Sequence, residues 1–174
     1  MFIDNYLQKY GYYEKHQIII KASKESIWKA FKTLTISDMS YNLFSKINNN
    51  SLFVDFMKSR FILLEESENE ILVGLIGKFW INKTIKVNRG EFENFRKLGY
   101  AKLIWSISIN EIDSKNNILR TETRVECDDR HSNNIFRIYW FFIKPFSGLT
   151  RIYLLNHIKN KIQNNVIHYD KNNI

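Results

Sequence analysis

The segment from Arg130 to Lys161 constrains this chain more than any other. Between Ile135 and Ile143 every residue is apolar or aromatic except Arg137, and a helical pattern then continues to Lys161. A helix apolar on nearly all sides must be enclosed by something. The only proline of the chain, Pro145, falls inside it. Its missing N–H and its ring should kink the helix, and Gly148 adds local freedom one turn further on. The segments before this helix read as strands. The simplest solution is therefore a sheet gripping a helix, with a hydrophobic space between them.

The strands follow from composition and alternation. Tyr12 to Lys21 ends in three isoleucines and reads as a first strand. Ser23 then acts as an N-cap with Glu25 in the first turn, and Ile27, Phe31 and Leu34 recur at helical spacing. Ser37-Asp38 offers a second helix start, with Met39, Leu43 and Phe44 on its buried side, before a loop at 48–51. Arg60 to Glu65 and Ile71 to Ile76 form a hairpin about Ser67-Glu68-Asn69. Phe79 to Val87 is a weaker strand with an irregular start. Tyr100 to Ile112 and Ile118 to Cys127 are long strands joined by a turn at 113–117, and the last helix begins near Ser132. Antiparallel strands on short turns, with helices set apart, give an α+β class.

Composition narrows the function. The chain has 174 residues, which fits one domain, and an aromatic share of 15% argues for a bulky core or an aromatic-lined cavity. The N-terminus lacks a basic start followed by an apolar run, so no signal peptide is expected. No stretch approaches the roughly 20 apolar residues of a membrane-spanning helix, and cytoplasmic residence follows. The single cysteine, Cys127, excludes an internal disulfide and a multi-cysteine metal site. The net charge is +8, and from residue 130 onward seven Lys/Arg face one acid, Asp170. That excess could attract anionic lipid or another acidic partner. Nucleic acid is not expected, because no clustered basic run or aromatic–basic motif is present.

Period-two alternation places Ala101, Leu103, Trp105, Ile107 and Ile109 on one buried face. In the next strand Thr121 and Thr123 alternate with Arg120, Glu122, Arg124 and Glu126. The simplest reading turns the threonines inward and the charges to water. The sharper one reverses the phase, so that Arg124 enters the cavity and holds a ligand carboxylate with Glu122 beside it. On the last helix Phe136, Tyr139, Trp140 and Ile143 share a face, while Arg137, Lys144 and Arg151, seven apart, form its wet edge. The run Cys127 to His131 gathers metal-capable side chains without the spacing of a zinc site, and an N-cap role for Asp129 or Ser132 fits it better. His16 and His168 are read as surface residues. No catalytic residue, metal or cofactor is assigned.

The order of elements resembles the helix-grip fold of the START-like or SRPBCC superfamily, which includes polyketide cyclase-like and lipid-transfer proteins. The blocks that carry the resemblance are Ile27-Trp28 with Ser37-Asp38-Met39, Gly77 to Trp80, Gly99 to Lys102, Thr121 to Val125, and Tyr139-Trp140 through Pro145-Phe146-Ser147-Gly148 to Arg151. The likeness covers about residues 12–163, leaves short tails at both ends, and is greatest to bacterial members of no assigned function. It implies a curved antiparallel sheet around a proline-kinked C-terminal helix, with two short helices after the first strand and a cavity for a hydrophobic or amphipathic ligand. Trp80, Trp105, Phe136, Tyr139 and Trp140 would then wall that cavity, and Thr123 would make a polar contact. Two further readings stand beside this one. The first is a cyclase- or dehydratase-like enzyme using Arg124, Glu122 or Tyr139. The second is a basic interaction module meeting an acidic partner or an anionic membrane. Oligomeric state is left open by the sequence.

Overall fold

The computed structural model describes residues 1–39, 50–113 and 116–171, the last seven of these as backbone only. In chain order the elements are α1 (Ile3–Tyr6), β1 (Tyr12–Ile20), α2 (Lys24–Lys32), a 3-10 turn (Ser37–Met39), α3 (Phe53–Arg60), β2 (Ile62–Glu66) and β3 (Glu70–Lys78). A second 3-10 turn (Phe79–Ile81) leads to β4 (Lys83–Ile85), α4 (Arg89–Asn94), β5 (Ala101–Glu111), β6 (Asn117–Cys127) and α5 (Arg130–Lys171). All strand pairs are antiparallel, in the order β1-β6-β5-β3-β2, with β4 on the far end of β3. The α+β helix-grip architecture expected from the sequence is the one observed.

Local chemistry explains the element ends. Ser23 caps α2, its hydroxyl accepting from the Ser26 N–H, and Lys29 and Lys32 occupy the last turn, where positive charge is favourable. Asp129 caps α5. Its carboxylate accepts from the Ser132 N–H at 2.8 Å and the Ser132 hydroxyl at 2.7 Å, and also from the Gly99 N–H. These bonds hold the Asp129 carboxyl down at about 2. The helix then runs through Pro145 without interruption. The Leu43 and Phe44 assignment lies outside the described residues. Helices α1, α3 and α4 have no counterpart among the elements expected from the sequence.

The sheet is covered on both faces. Tyr12, Glu14, His16, Ile18 and Ile20 of β1 lie across from Val125, Thr123, Thr121, Leu119 and Asn117 of β6. These residues share the concave face with Ala101, Leu103, Trp105, Ile107 and Ile109 of β5. Helix α5 packs there, with α2 and α3 beside its C-terminal half. The convex face is buried under α1 and α4, where Ile3, Leu7, Leu64, Leu72, Ile76, Phe92, Tyr100 and Ile104 form a second core. Gly74 is a close approach in that core, since a Cβ there would come within 2.7 Å of the Phe92 ring.

The convex face corrects two expectations for the charges of β6. The short N-terminal tail before β1 packs on this face, with Ile3 and Leu7 buried in the core. The charges of β6 do not form a solvated ladder, and they do not enter the grip either. Glu122 and Arg124 lie on the convex face and are buried by the N-terminal segment. Arg124 donates from Nε to Glu122 Oε1 (2.9 Å), from Nη1 to the Leu7 carbonyl (3.1 Å) and from Nη2 to Asp4 Oδ1 (2.7 Å). Its guanidinium also lies 4.8 Å over the Tyr10 ring. Alternation alone gave the correct phase, but it could not show that a distant segment would cover the polar side.

Candidate functional site

The grip interior divides along α5 into three levels. At the N-terminal level, Phe136 is buried against Ala101 and Val125, with Tyr12, Phe79, Trp80, Leu103, Cys127, Tyr139 and Trp140 packed around them. The Phe136 ring is 6.3 Å from Trp80, 5.5 Å from Tyr139 and 5.8 Å from Trp140. Four of the six residues expected at a ligand site therefore meet in one aromatic cluster. Burial pushes the Tyr139 hydroxyl above its ordinary value, and it lifts the Cys127 thiol, with Asp129 and Asp128 beside it, to about 12. At the C-terminal level Leu154, Leu155, Ile158 and Ile162 pack with α2 and the aliphatic ends of β3, β5 and β6.

Between these two apolar levels lies a polar waist. Glu14 and His16 come from β1, Thr121 and Thr123 from β6, Trp105 from β5, and Ser147 and Arg151 from successive turns of α5. His16 Nε2 donates to Glu14 Oε1 (3.0 Å), and the Ser147 hydroxyl donates to Glu14 Oε2 (2.9 Å). Arg151 Nη1 donates to the Ser147 carbonyl (3.2 Å) and to the Ser147 hydroxyl, and stands 3.7 Å from Glu14 Oε2. Its Nη2 donates to Thr123 Oγ1 (2.5 Å). The guanidinium lies 5.4 Å over Trp105, whose indole N–H donates to Thr121 Oγ1 (2.7 Å). The chain of contacts thus runs from Arg151 through Ser147 to Glu14 and His16. Trp105 and Thr123 sit at this waist rather than in the aromatic cluster.

One polar group in this network is unfinished. Arg151 Nε is buried and has no hydrogen-bond acceptor among the described residues. Leaving a buried donor unpaired is costly, and more so for a charged group. Burial pushes the Arg151 guanidinium below its ordinary value, with Glu14 opposing the shift. A carboxylate or other anionic oxygen is the complement such a donor lacks.

These positions correct the reading of Arg151 as part of a wet edge. Arg137 and Lys144 are exposed, but Arg151 is turned inward, with 13% of its side chain accessible. A straight helix drifts by about 20° per heptad, so Arg151, two heptads after Arg137, is turned by about 40° toward the sheet. Gly148 assists, because a Cβ there would lie 2.8 Å from Glu14 Oε1. The absence of a Cβ there lets the helix approach the Glu14 side chain of β1 closely. His16 likewise belongs to the waist rather than the surface. Alternation along β1 could have found Glu14 and His16, since they share a face with Tyr12, Ile18 and Ile20.

Two hollows lie away from the waist. A cleft of about 10 Å³ opens among Ile36, Met39, Phe53 and Phe56. An open groove of about 850 Å³ runs past Trp28, Lys29, Lys32 and Glu66. Two of its charges meet each other, Lys32 standing 3.2 Å from Glu66, and Lys58 from outside the groove binds the same carboxylate at 2.7 Å. The waist is the better candidate because its unmet donor faces the interior.

No family model matches the chain, and no curated protein resembles it significantly in sequence. Solved structures do resemble it. A norcoclaurine synthase mutant from Thalictrum flavum, in complex with a transition-state analogue, gives a TM-score of 0.52 at 11% identity, covering 88% of this chain and 95% of that one. A hypothetical protein from Helicobacter pylori gives 0.43 at 7% identity, over 91% and 92% of the two chains. The di-domain ARO/CYC protein BexL of the BE-7585A biosynthetic pathway gives 0.36 at 9% identity, over 88% and 47%. At such identities the likeness is one of fold. The six-stranded antiparallel sheet with a long C-terminal helix packed against it is a helix-grip fold, shared with the norcoclaurine synthase structure.

Proposed function

We propose that the protein binds an amphipathic small molecule, such as a lipid or polyketide-like compound, between the sheet and α5. The observation that carries this reading is the buried, unpartnered Nε of Arg151, set between two apolar levels. An anionic head on Arg151, with Thr123 and Ser147 beside it, would complete the network. The apolar body would lie against Trp80, Phe136, Tyr139 and Trp140, gaining about 25 cal/mol for each Å² removed from water. Ligand sites commonly join an apolar wall to a few placed polar groups. Residues 1–174 would act as one domain in the cytoplasm.

Native mass spectrometry of protein purified from cells tests this reading. The expected result is an added mass of a few hundred daltons that leaves on gentle activation (the ordinary size of such a ligand). A protein that is apo as purified and gains no mass from long-chain carboxylates would contradict it.

One observation favours an enzyme as the second reading. The Glu14–His16 pair at 3.0 Å is an acid–base couple inside the grip. It replaces Arg124 and Glu122, which are committed to the convex face, and Tyr139 stays as a wall residue.

A further inference from the structure

The sheet occupies only one side of α5. On the other side Ile138, Phe141, Phe142, Phe146, Leu149 and Ile152 are between 44% and 75% exposed. At 100° per residue they fall within one arc of roughly 140°, about four turns long, and Pro145 lies in the same arc. Scattered exposed apolar residues are ordinary, but a contiguous stripe of this size marks a contact surface. Exposed Arg137 and Lys144 border it. From Arg130 to Asn164 the helix carries six Lys/Arg and no Asp or Glu.

We propose that this outward face of α5 docks on the surface of an anionic phospholipid bilayer. The phenylalanine rings would enter the boundary between headgroups and acyl chains, with Arg137 and Lys144 against the phosphates. Charge selects this occupant over a second copy of the chain. A two-fold pairing through the stripe would set one basic helix face against another, with no carboxylate between Arg130 and Asn164 to neutralise either flank. A layer of anionic headgroups supplies the missing negative charge. Among the described residues no helix is long and apolar enough to cross a membrane, so the contact is peripheral.

Vesicle sedimentation of the full chain tests the proposal, with phosphatidylcholine vesicles prepared with and without phosphatidylglycerol. Binding is expected only to the anionic vesicles, falling as salt rises. The double variant Phe141→Asp/Phe146→Asp should weaken it by at least roughly tenfold, and Arg137→Glu/Lys144→Glu by a similar factor. Both pairs are exposed, so their circular dichroism should match wild type. If the aromatic variant fails to fold, the charge variant still decides. Absence of binding by folded wild-type protein would overturn the proposal, as would variants that bind equally well. A wild-type dimer in sedimentation equilibrium that Phe141→Asp/Phe146→Asp makes monomeric would also overturn it, in favour of a second copy.

Discussion

Two arginines are buried on opposite faces of the same sheet, and their surroundings differ. Arg124, on the convex side, is fully engaged with Glu122, Asp4, the Leu7 carbonyl and the Tyr10 ring. Burial works against its charge, but the bonds to Asp4 and Glu122 outweigh it, and the guanidinium is held above its ordinary value. Arg151, on the concave side, makes bonds through both terminal nitrogens yet keeps a buried Nε without a partner, and burial pushes it down. The first closes the N-terminal segment onto the sheet. The second leaves capacity for something the protein itself does not supply. Buried charge is therefore not one phenomenon in this fold, because completeness of partners separates structure from availability.

The sharpest test of the structural half is Arg124→Ala. It strands the buried Glu122 carboxylate and frees the N-terminal segment, and should cost about 3–5 kcal/mol in urea unfolding. A loss below about 1 kcal/mol would place Arg124 in the class of weak surface pairs.

Gly148→Val examines how the waist is assembled. The added atoms meet Glu14, which His16 and Ser147 hold in place, so overpacking of about 1–3 kcal/mol is expected. In Gly148→Ala that strain should cancel the helix-propensity gain of about 1 kcal/mol. A clearly higher melting temperature for the alanine variant would mean that Glu14 swings aside freely.

Asp129→Ala removes the cap of α5 and should cost about 1 kcal/mol. The sign of its pH dependence is fixed by its depressed carboxyl. Its contribution is present above the ordinary value of 3.8 and is lost as pH falls toward about 2. Asp129→Asn should therefore flatten the acid limb of a stability–pH curve. An unchanged limb would assign acid sensitivity to other carboxylates.

Much of this arrangement was legible in the sequence. Strand pairing, the inward phase of Trp105 and Thr123, the Ser23 and Asp129 caps and the enclosed helix follow from period, propensity and turn chemistry. Those are local signals. What escaped depends on contacts distant in sequence. Arg120 to Glu126 alternates like a solvent-facing strand, and contacts from the distant N-terminal segment, at Asp4, Leu7 and Tyr10, cover Arg124 on its outer side. Arg151 looked like a partner of Arg137 because seven residues approximate two turns, while the drift of a real helix and the gap at Gly148 turn it inward. Of the expected ligand residues, Trp80, Phe136, Tyr139 and Trp140 meet at one level and Trp105 and Thr123 at another. The two levels suit the two ends of an amphipathic molecule.

Arg151→Met has the most direct bearing on the waist. Methionine keeps the apolar stem and removes the unmet donor, but it also takes the cation from beside the buried Glu14, which His16 and Ser147 still hold, so a loss of about 1–3 kcal/mol in unfolding free energy is expected. Calorimetric titration of wild type and Arg151→Met with a long-chain fatty acid is the decisive measurement. Wild type should bind saturably and Arg151→Met with an affinity lower by roughly tenfold, the size of one lost charged hydrogen bond. Equal affinity in both proteins, or a wild type that binds nothing, would contradict this reading.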